Sequence, residues 1–117
     1  MRRGEIWTVS GGSAYSGKPR PAVIIQDDMF SQSKSVTICI LTTNETEASL
    51  MRLDVSPTAN NGLRAVSRLM VDKISTVPRS RIGDRVGYLD DEDIVRLDQA
   101  LLVFLGLTAW PRIGIGE

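Results

Sequence analysis

A mainly β domain with one C-terminal helix is the fold this sequence predicts, on three observations. Short apolar, β-branched runs recur through the first two-thirds of the chain, separated by polar segments carrying Gly, Asn and Pro. One stretch near the C-terminus switches to apolar residues at helical spacing. The 117 residues show no internal repeat and no linker. One domain over residues 1–110 and a tail, 111–117, without helical or strand rhythm, are therefore expected.

Glu5-Ile6-Trp7-Thr8-Val9 alternates polar and apolar residues, the pattern of a half-buried strand. Ser10 to Gly17 is loop by composition. Pro21 to Ile25 and Val36 to Leu41 are continuous apolar runs and read as buried strands. The polar stretches Asp27–Ser35 and Thr42–Ser49 read as loops. Leu50 to Val55 is a further strand, ended by Pro57, and Asn60-Asn61-Gly62 signals a turn. Ala65 to Ile74 reads as one apolar-rich strand, and Val86 to Leu89 as a short last one. Asp90 can N-cap a helix whose first turn holds Asp91, Glu92 and Asp93. Ile94, Leu97, Leu101, Phe104 and Leu105 follow at helical spacing, and Gly106 is placed to end it. Val95, Leu102 and Val103 widen the apolar surface beyond one stripe, which predicts burial on a second side, as at a subunit interface.

Composition narrows the chemistry. Lys plus Arg equals Asp plus Glu, 14 each, so any nucleic-acid footprint must be a local patch. There is no histidine and one cysteine, Cys39, inside the run Val36–Leu41. Zinc sites and Ser-His or Cys-His catalysis are thereby nearly excluded, and no metal or cofactor is expected. The acidic run Asp90–Asp93 is explained as helix capping. No apolar run approaches the ~20 residues needed to span a membrane, and no secretory pattern opens the sequence. A cytoplasmic location is expected.

Chemistry must then use Arg, Lys, carboxylates, hydroxyls or backbone groups. In Gly17-Lys18-Pro19-Arg20-Pro21, two cations flank a proline just before a buried strand. Pro21 biases Arg20 towards an extended backbone, so a phosphate-binding guanidinium would be held at a strand entrance. By itself the motif equally describes cations that solubilise a loop. Leu41-Thr42-Thr43-Asn44 places three hydrogen-bonding side chains at a strand exit. Thr and Asn are also ordinary strand-end residues. Ser67 interrupts an apolar strand and can point outward by alternation, and Arg79-Ser80-Arg81 puts two cations in a loop.

Taken in order, Arg3-Gly4-Glu5-Ile6-Trp7, Lys18 to Ile25, Leu41 to Asn44, Gly62 to Ser67, Asp72-Lys73-Ile74, Arg81-Ile82 and Ile94 to Leu107 resemble the MazF/PemK family of toxin ribonucleases. The match runs from about residue 2 to about residue 107. The resemblance implies an SH3-like small barrel with a terminal helix, of the type shared with CcdB toxins. It implies a two-fold homodimer, cleavage of single-stranded RNA at short sequences, and a MazE-like antitoxin whose disordered tail covers the RNA groove. Carried over by position, Arg20 matches the catalytic arginine, Thr42 the threonine ending the third strand, and Ser67 a serine near the groove. With them, Lys18, Pro19, Thr43, Asn44 and Arg81 are expected to contact RNA. One departure stands out: many members carry a Gly-Ser-Glu-Gln-like first loop, and Gly11–Lys18 holds no Glu.

Without metal or histidine, the expected route is attack of the ribose 2′-OH on the adjacent phosphorus. It leaves a 2′,3′-cyclic phosphate and a 5′-OH. Two rivals follow from the same reading. A gyrase-poisoning toxin of the CcdB type would act through the C-terminal residues Trp110, Ile113, Gly114 and Ile115. A catalytically silent SH3-like module is the other. The gyrase-poison reading gives Arg20 and Thr42 no purpose.

Overall fold

A computed structural model describes residues 1–10, 18–45 and 51–108. Its elements, in chain order, are β1 (Glu5–Val9), β2 (Arg20–Ile24), β3 (Ser35–Thr42), β4 (Arg52–Val55), β5 (Ser67–Met70), β6 (Ser75–Pro78), β7 (Ile82–Tyr88) and α1 (Asp91–Phe104). The tail 111–117, most of the first loop and Leu50 lie outside the described residues.

The strands form one antiparallel sheet in the order β4-β5-β3-β2-β1-β7, with β6 also paired to β3. The path is not closed, so the expected barrel is a curled, barrel-like sheet with β4 and β7 at its ends. β3 is the hub. Its residues Ile38–Ile40 pair with β2, Ser35–Ile38 with β6, and Leu41 and Thr42 with β5. β5 and β6 thus lie end to end along one edge of β3, joined by a single 3-10 turn, Val71–Lys73.

That arrangement corrects the single strand expected over Ala65–Ile74. Val71 is fully buried inside the turn, so apolarity does not fall where the strand ends. β7 begins earlier than its apolar tail suggested, because Gly83, Asp84 and Arg85 are exposed on an edge strand.

Two apolar clusters cover the two faces of the central strands. On one, Val23, Cys39 and Leu41 pack with Ile6, Leu69, Val71 and the helix residues Leu97, Ala100 and Leu101. On the other, Ala22, Ile24, Ile38 and Ile40 pack with Val9, Val36, Met70 and Val77. Burial on both faces is why β2 and β3 read as continuous apolar runs instead of alternating.

The helix keeps its expected position and its expected stop at Gly106, with one change at the N-terminus. Asp90 is the N-cap residue, but its carboxylate makes no cap; it accepts from Thr58 Oγ1 at 2.6 Å and Asn60 Nδ2 at 2.6 Å. It ties the 58–60 turn to the helix instead. At the C-terminus Gly106 sits at φ +74°, Gly106 N–H donates to the Val103 carbonyl at 3.1 Å and Leu107 N–H to that of Leu102 at 2.8 Å. This paired pattern is a Schellman stop, which the left-handed glycine permits. The turn before β5 is held by Asn61, fully buried, whose Oδ1 accepts from Thr58 and Leu63 N–H while Nδ2 donates to the Ser56 carbonyl.

Candidate active site

The strand directions gather six strand ends at one rim: the C-termini of β1, β3 and β4 and the N-termini of β2, β5 and β7. Register then aligns particular residues there. Val9 pairs with Arg20, Thr42 with Arg68, and Arg68 with Asp54. The β2–β3 register, Ala22 with Ile40, continued by two residues, sets Arg20 opposite Thr42. The result is a row across five strands: Val9, Arg20, Thr42, Arg68, Asp54. Neighbours in such a row lie about 4.8 Å apart and project to the same side. That side is fixed by the apolar residues two positions along each strand. Ala22, Ile40 and Met70 all belong to the second cluster, so the row forms its polar edge.

Each side chain is held differently. Arg20 is half-buried as the first residue of β2, with Lys18 and Pro19 exposed ahead of it. Thr42 is only 5 % exposed. Its Oγ1 accepts from Asn44 N–H at 3.0 Å, a local turn that leaves the Thr43 and Asn44 side chains exposed at the rim. Arg68 has an 18 % exposed side chain; its Nε lies 3.3 Å from Asp54 Oδ1 and its Nη2 3.4 Å from Glu45 Oε1.

The expected residues therefore separate. Lys18, Pro19, Arg20, Thr42, Thr43 and Asn44 share the rim. Arg81 stands exposed in the turn before β7, two strands from Arg20, and its carbonyl accepts from Ser10 N–H at 3.0 Å. It flanks the start of the first loop. Ser67 does not join them. It is buried, its register partner Val55 belongs to the helix-side cluster, and its hydroxyl donates to the Ala65 carbonyl at 3.1 Å. Arg79, the other cation of Arg79-Ser80-Arg81, is structural: it donates to the carbonyls of Ser31 and Ser33, pinning the β2–β3 loop.

Sequence reading missed Arg68, Asp54 and Glu45. The available signal was Arg68 as the one charge in Ser67–Met70, but only the pairing with Thr42 gives it a place.

Chemically, the row sets a hydroxyl between two guanidiniums on a half-dry surface. Such an array suits a phosphodiester and the extra negative charge that gathers on it during displacement. Cys39 contributes no nucleophile: burial, with Asp72 nearby, pushes its thiol up to about 12. Among the described residues no helix is long and apolar enough to cross a membrane.

Comparison with known proteins follows the same line. A family model described as PemK-like, MazF-like toxin of type II toxin-antitoxin system matches residues 2–105. A probable endoribonuclease MazF of Mycolicibacterium smegmatis is 54 % identical over 107 residues, covering 92 % of this chain and 98 % of that protein. Endoribonuclease EndoA of Bacillus subtilis is 27 % identical over 111 residues, 92 % and 96 % of the two chains. Among solved structures, an endoribonuclease in complex with its cognate antitoxin from a mycobacterial species superposes with a TM-score of 0.75 at 19 % identity, over 92 % of this chain and 97 % of that one. The Mycobacterium tuberculosis toxin MazF-mt6 gives 0.72 at 24 % identity, over 89 % and 98 %. The solved structures support the fold, and the family model and the 54 % relative establish the lineage. The chain belongs to the PemK-like, MazF-like toxin family of type II toxin-antitoxin systems.

Proposed function

We propose that this chain is a toxin endoribonuclease that cleaves single-stranded RNA at short sequences without a metal ion. The observation that carries the reading is the β2–β3 register, Ala22 with Ile40, which continued by two residues brings Arg20 opposite Thr42. The family, and relatives named as endoribonucleases, agree with it.

In this mechanism the ribose 2′-OH attacks the adjacent phosphorus in line and gives its proton to water. The bond from phosphorus to the 5′-oxygen breaks, and that oxygen leaves as a hydroxyl with a proton from Arg20, which solvent then restores. The non-bridging oxygens gain charge in the transition state. Arg20 donates two N–H groups to them and Thr42 one hydroxyl, both held by strand backbone before substrate arrives. A guanidinium holds its proton too firmly for arginine to be a good base near neutrality, so Arg20 serves as clamp and as acid towards the leaving oxygen. In-line positioning supplies much of the remaining acceleration. Lys18, Thr43, Asn44 and Arg81, exposed around the row, contact the RNA, with Pro19 shaping the approach. Ser67 supports the loop before β5 through Ala65.

The working unit is a homodimer. Val95, Leu102, Phe104, Leu105 and Leu107 are between 40 % and 69 % exposed in the single chain, an apolar surface that a second copy would cover. A cognate antitoxin is the protein partner, as for the mycobacterial endoribonuclease solved in complex with one, and its tail is expected to compete with RNA for the groove. The gyrase-poison alternative depends on Trp110 to Ile115, which lie outside the described residues, and it leaves the Arg20–Thr42 row unused.

The test is to incubate the purified protein with mixed RNA in EDTA and analyse the ends. Discrete fragments with 5′-OH and 2′,3′-cyclic phosphate termini are expected. Activity lost in EDTA and restored by Mg²⁺ would falsify the metal-free route. Intact RNA would return the gyrase-poison reading.

A further inference from the structure

We propose that Arg68 is a second phosphate-binding residue, taking the phosphodiester next to the scissile one, and that Glu45 occupies it until RNA displaces the carboxylate. The inference rests on the ribonuclease reading above and extends its site by one strand.

Four features point there. Arg68 is the register partner of Thr42, so a substrate held at Thr42 lies against it. Its face is set by alternation: Leu69 packs in the helix-side cluster and Met70 in the other, which puts Arg68 on the Arg20–Thr42 side. Its side chain is largely covered, 18 % exposed, so the guanidinium is presented in a restricted direction. Arg20 and Arg68 flank Thr42 at one strand spacing each, about 9–10 Å apart along the row. Two long side chains at that span can lean onto neighbouring phosphates of one strand.

The acids around Arg68 have unequal roles. Asp54 is its cross-strand partner and lies at Nε, 3.3 Å away, which orients the guanidinium and leaves the outer nitrogens for other contacts. Glu45 lies at the outer nitrogen Nη2, at 3.4 Å, from the segment just after Thr43 and Asn44. Its side chain is 79 % exposed. A bridge so long and so exposed contributes little and exchanges readily. With both carboxylates in place the cluster carries a net negative charge and repels a phosphate. With Glu45 displaced it is neutral, and the outer nitrogens are open to an anion. Glu45 therefore acts as a built-in competitor of RNA.

The probe is a short random-sequence single-stranded RNA with 2′-O-methyl riboses, which binds but cannot be cleaved. Its affinity is measured against salt for the full chain and variants. Loss of one phosphate contact on a single strand lowers the slope of log K against log salt by about 0.7. Arg68→Met is expected to show that drop and a several-fold weaker affinity, and to raise KM more than it lowers kcat. Arg68→Lys, which keeps the charge, restores the slope. Glu45→Gln is expected to tighten binding several-fold, and to have no such effect in the Arg68→Met background. A folded Arg68→Met with the wild-type slope overturns the proposal. So does a Glu45→Gln that binds no tighter; its exposed position makes it decisive even if Arg68→Met does not fold. Arg20→Ala separates the two readings. If it cleaves like wild type while the Arg68 and Glu45 effects persist, the Arg20 assignment fails and the second phosphate site stands. If it is inactive and the Arg68 and Glu45 variants bind as wild type, the reverse holds.

Discussion

The two faces of the β2–β3 pair are built from alternate residues of the same strands, yet they end differently. The helix-side face, Val23, Cys39 and Leu41, is sealed by Leu97, Ala100 and Leu101 and is apolar to its last residue. The opposite face, Ala22, Ile24, Ile38 and Ile40, is apolar until the final row, where Arg20 and Thr42 replace hydrocarbon. One face therefore carries stability, and the other carries stability up to the line where we propose the chemistry. The strands pay for rigidity once, and the polar row inherits it. Effects on folding and effects on cleavage should thus be separable by choosing odd or even positions along the same strand.

Four changes test that separation, in order of expected size. Leu97→Ala removes a side chain that is 1 % exposed and should cost roughly 2–5 kcal/mol of stability, read by denaturant unfolding. The rate per folded molecule should be unchanged; a large loss there would mean the faces are coupled. Arg20→Ala should slow cleavage on the order of 10²–10³-fold, about 3–4 kcal/mol of barrier, with little change in Tm. A variant that unfolds would place Arg20 in the stability set. Thr42→Val keeps the shape and removes one donor, so a rate loss of roughly tenfold is expected. It also removes the acceptor for Asn44 N–H, so Tm should fall slightly.

The smallest effect concerns the helix side and is read as a pH dependence. Hydrogen bonds from Thr58, and then Asn60, hold the Asp90 carboxyl below its ordinary value. A lowered folded-state value adds stability that is present above the unfolded pKa of about 4 and is lost as pH falls through the folded one. The Tm of Asp90→Asn should lie below wild type at neutral pH, and the gap should close below about pH 4. A gap of equal size at acid and neutral pH would show that the carboxylate charge is not what matters. Cleavage should not change.

How much of this the sequence disclosed follows from what is local. β1 and β3 were legible because Glu5–Val9 alternates and Val36–Leu41 is unbroken. The helix was legible from its period and from Gly106. The break between β5 and β6 was not, since Val71 stays buried through the turn. Most of β7 was hidden by its exposed, polar edge. Arg20 and Thr42 could each be picked out, but their opposition depends on register between segments 22 positions apart in sequence. Ser67 and Arg68 show the limit most sharply. A strand's alternation has two phases, and a one-residue choice sends each side chain to the other face. Pairing of Leu41 with Leu69 fixes that choice, turning Ser67 inward and Arg68 to the row.

The central claim is that Arg20 and Thr42 act on one phosphate as a unit, and a double-variant cycle on cleavage rate tests it directly. Single-turnover rates are measured for Arg20→Ala, Thr42→Val and the double variant, each with folding checked by thermal unfolding. Groups that share one transition-state charge are not additive. The double variant should therefore be hardly slower than Arg20→Ala alone. Losses that multiply, the double variant falling by the full product of the two single effects, would mean that Arg20 and Thr42 serve separate sites and would contradict the account.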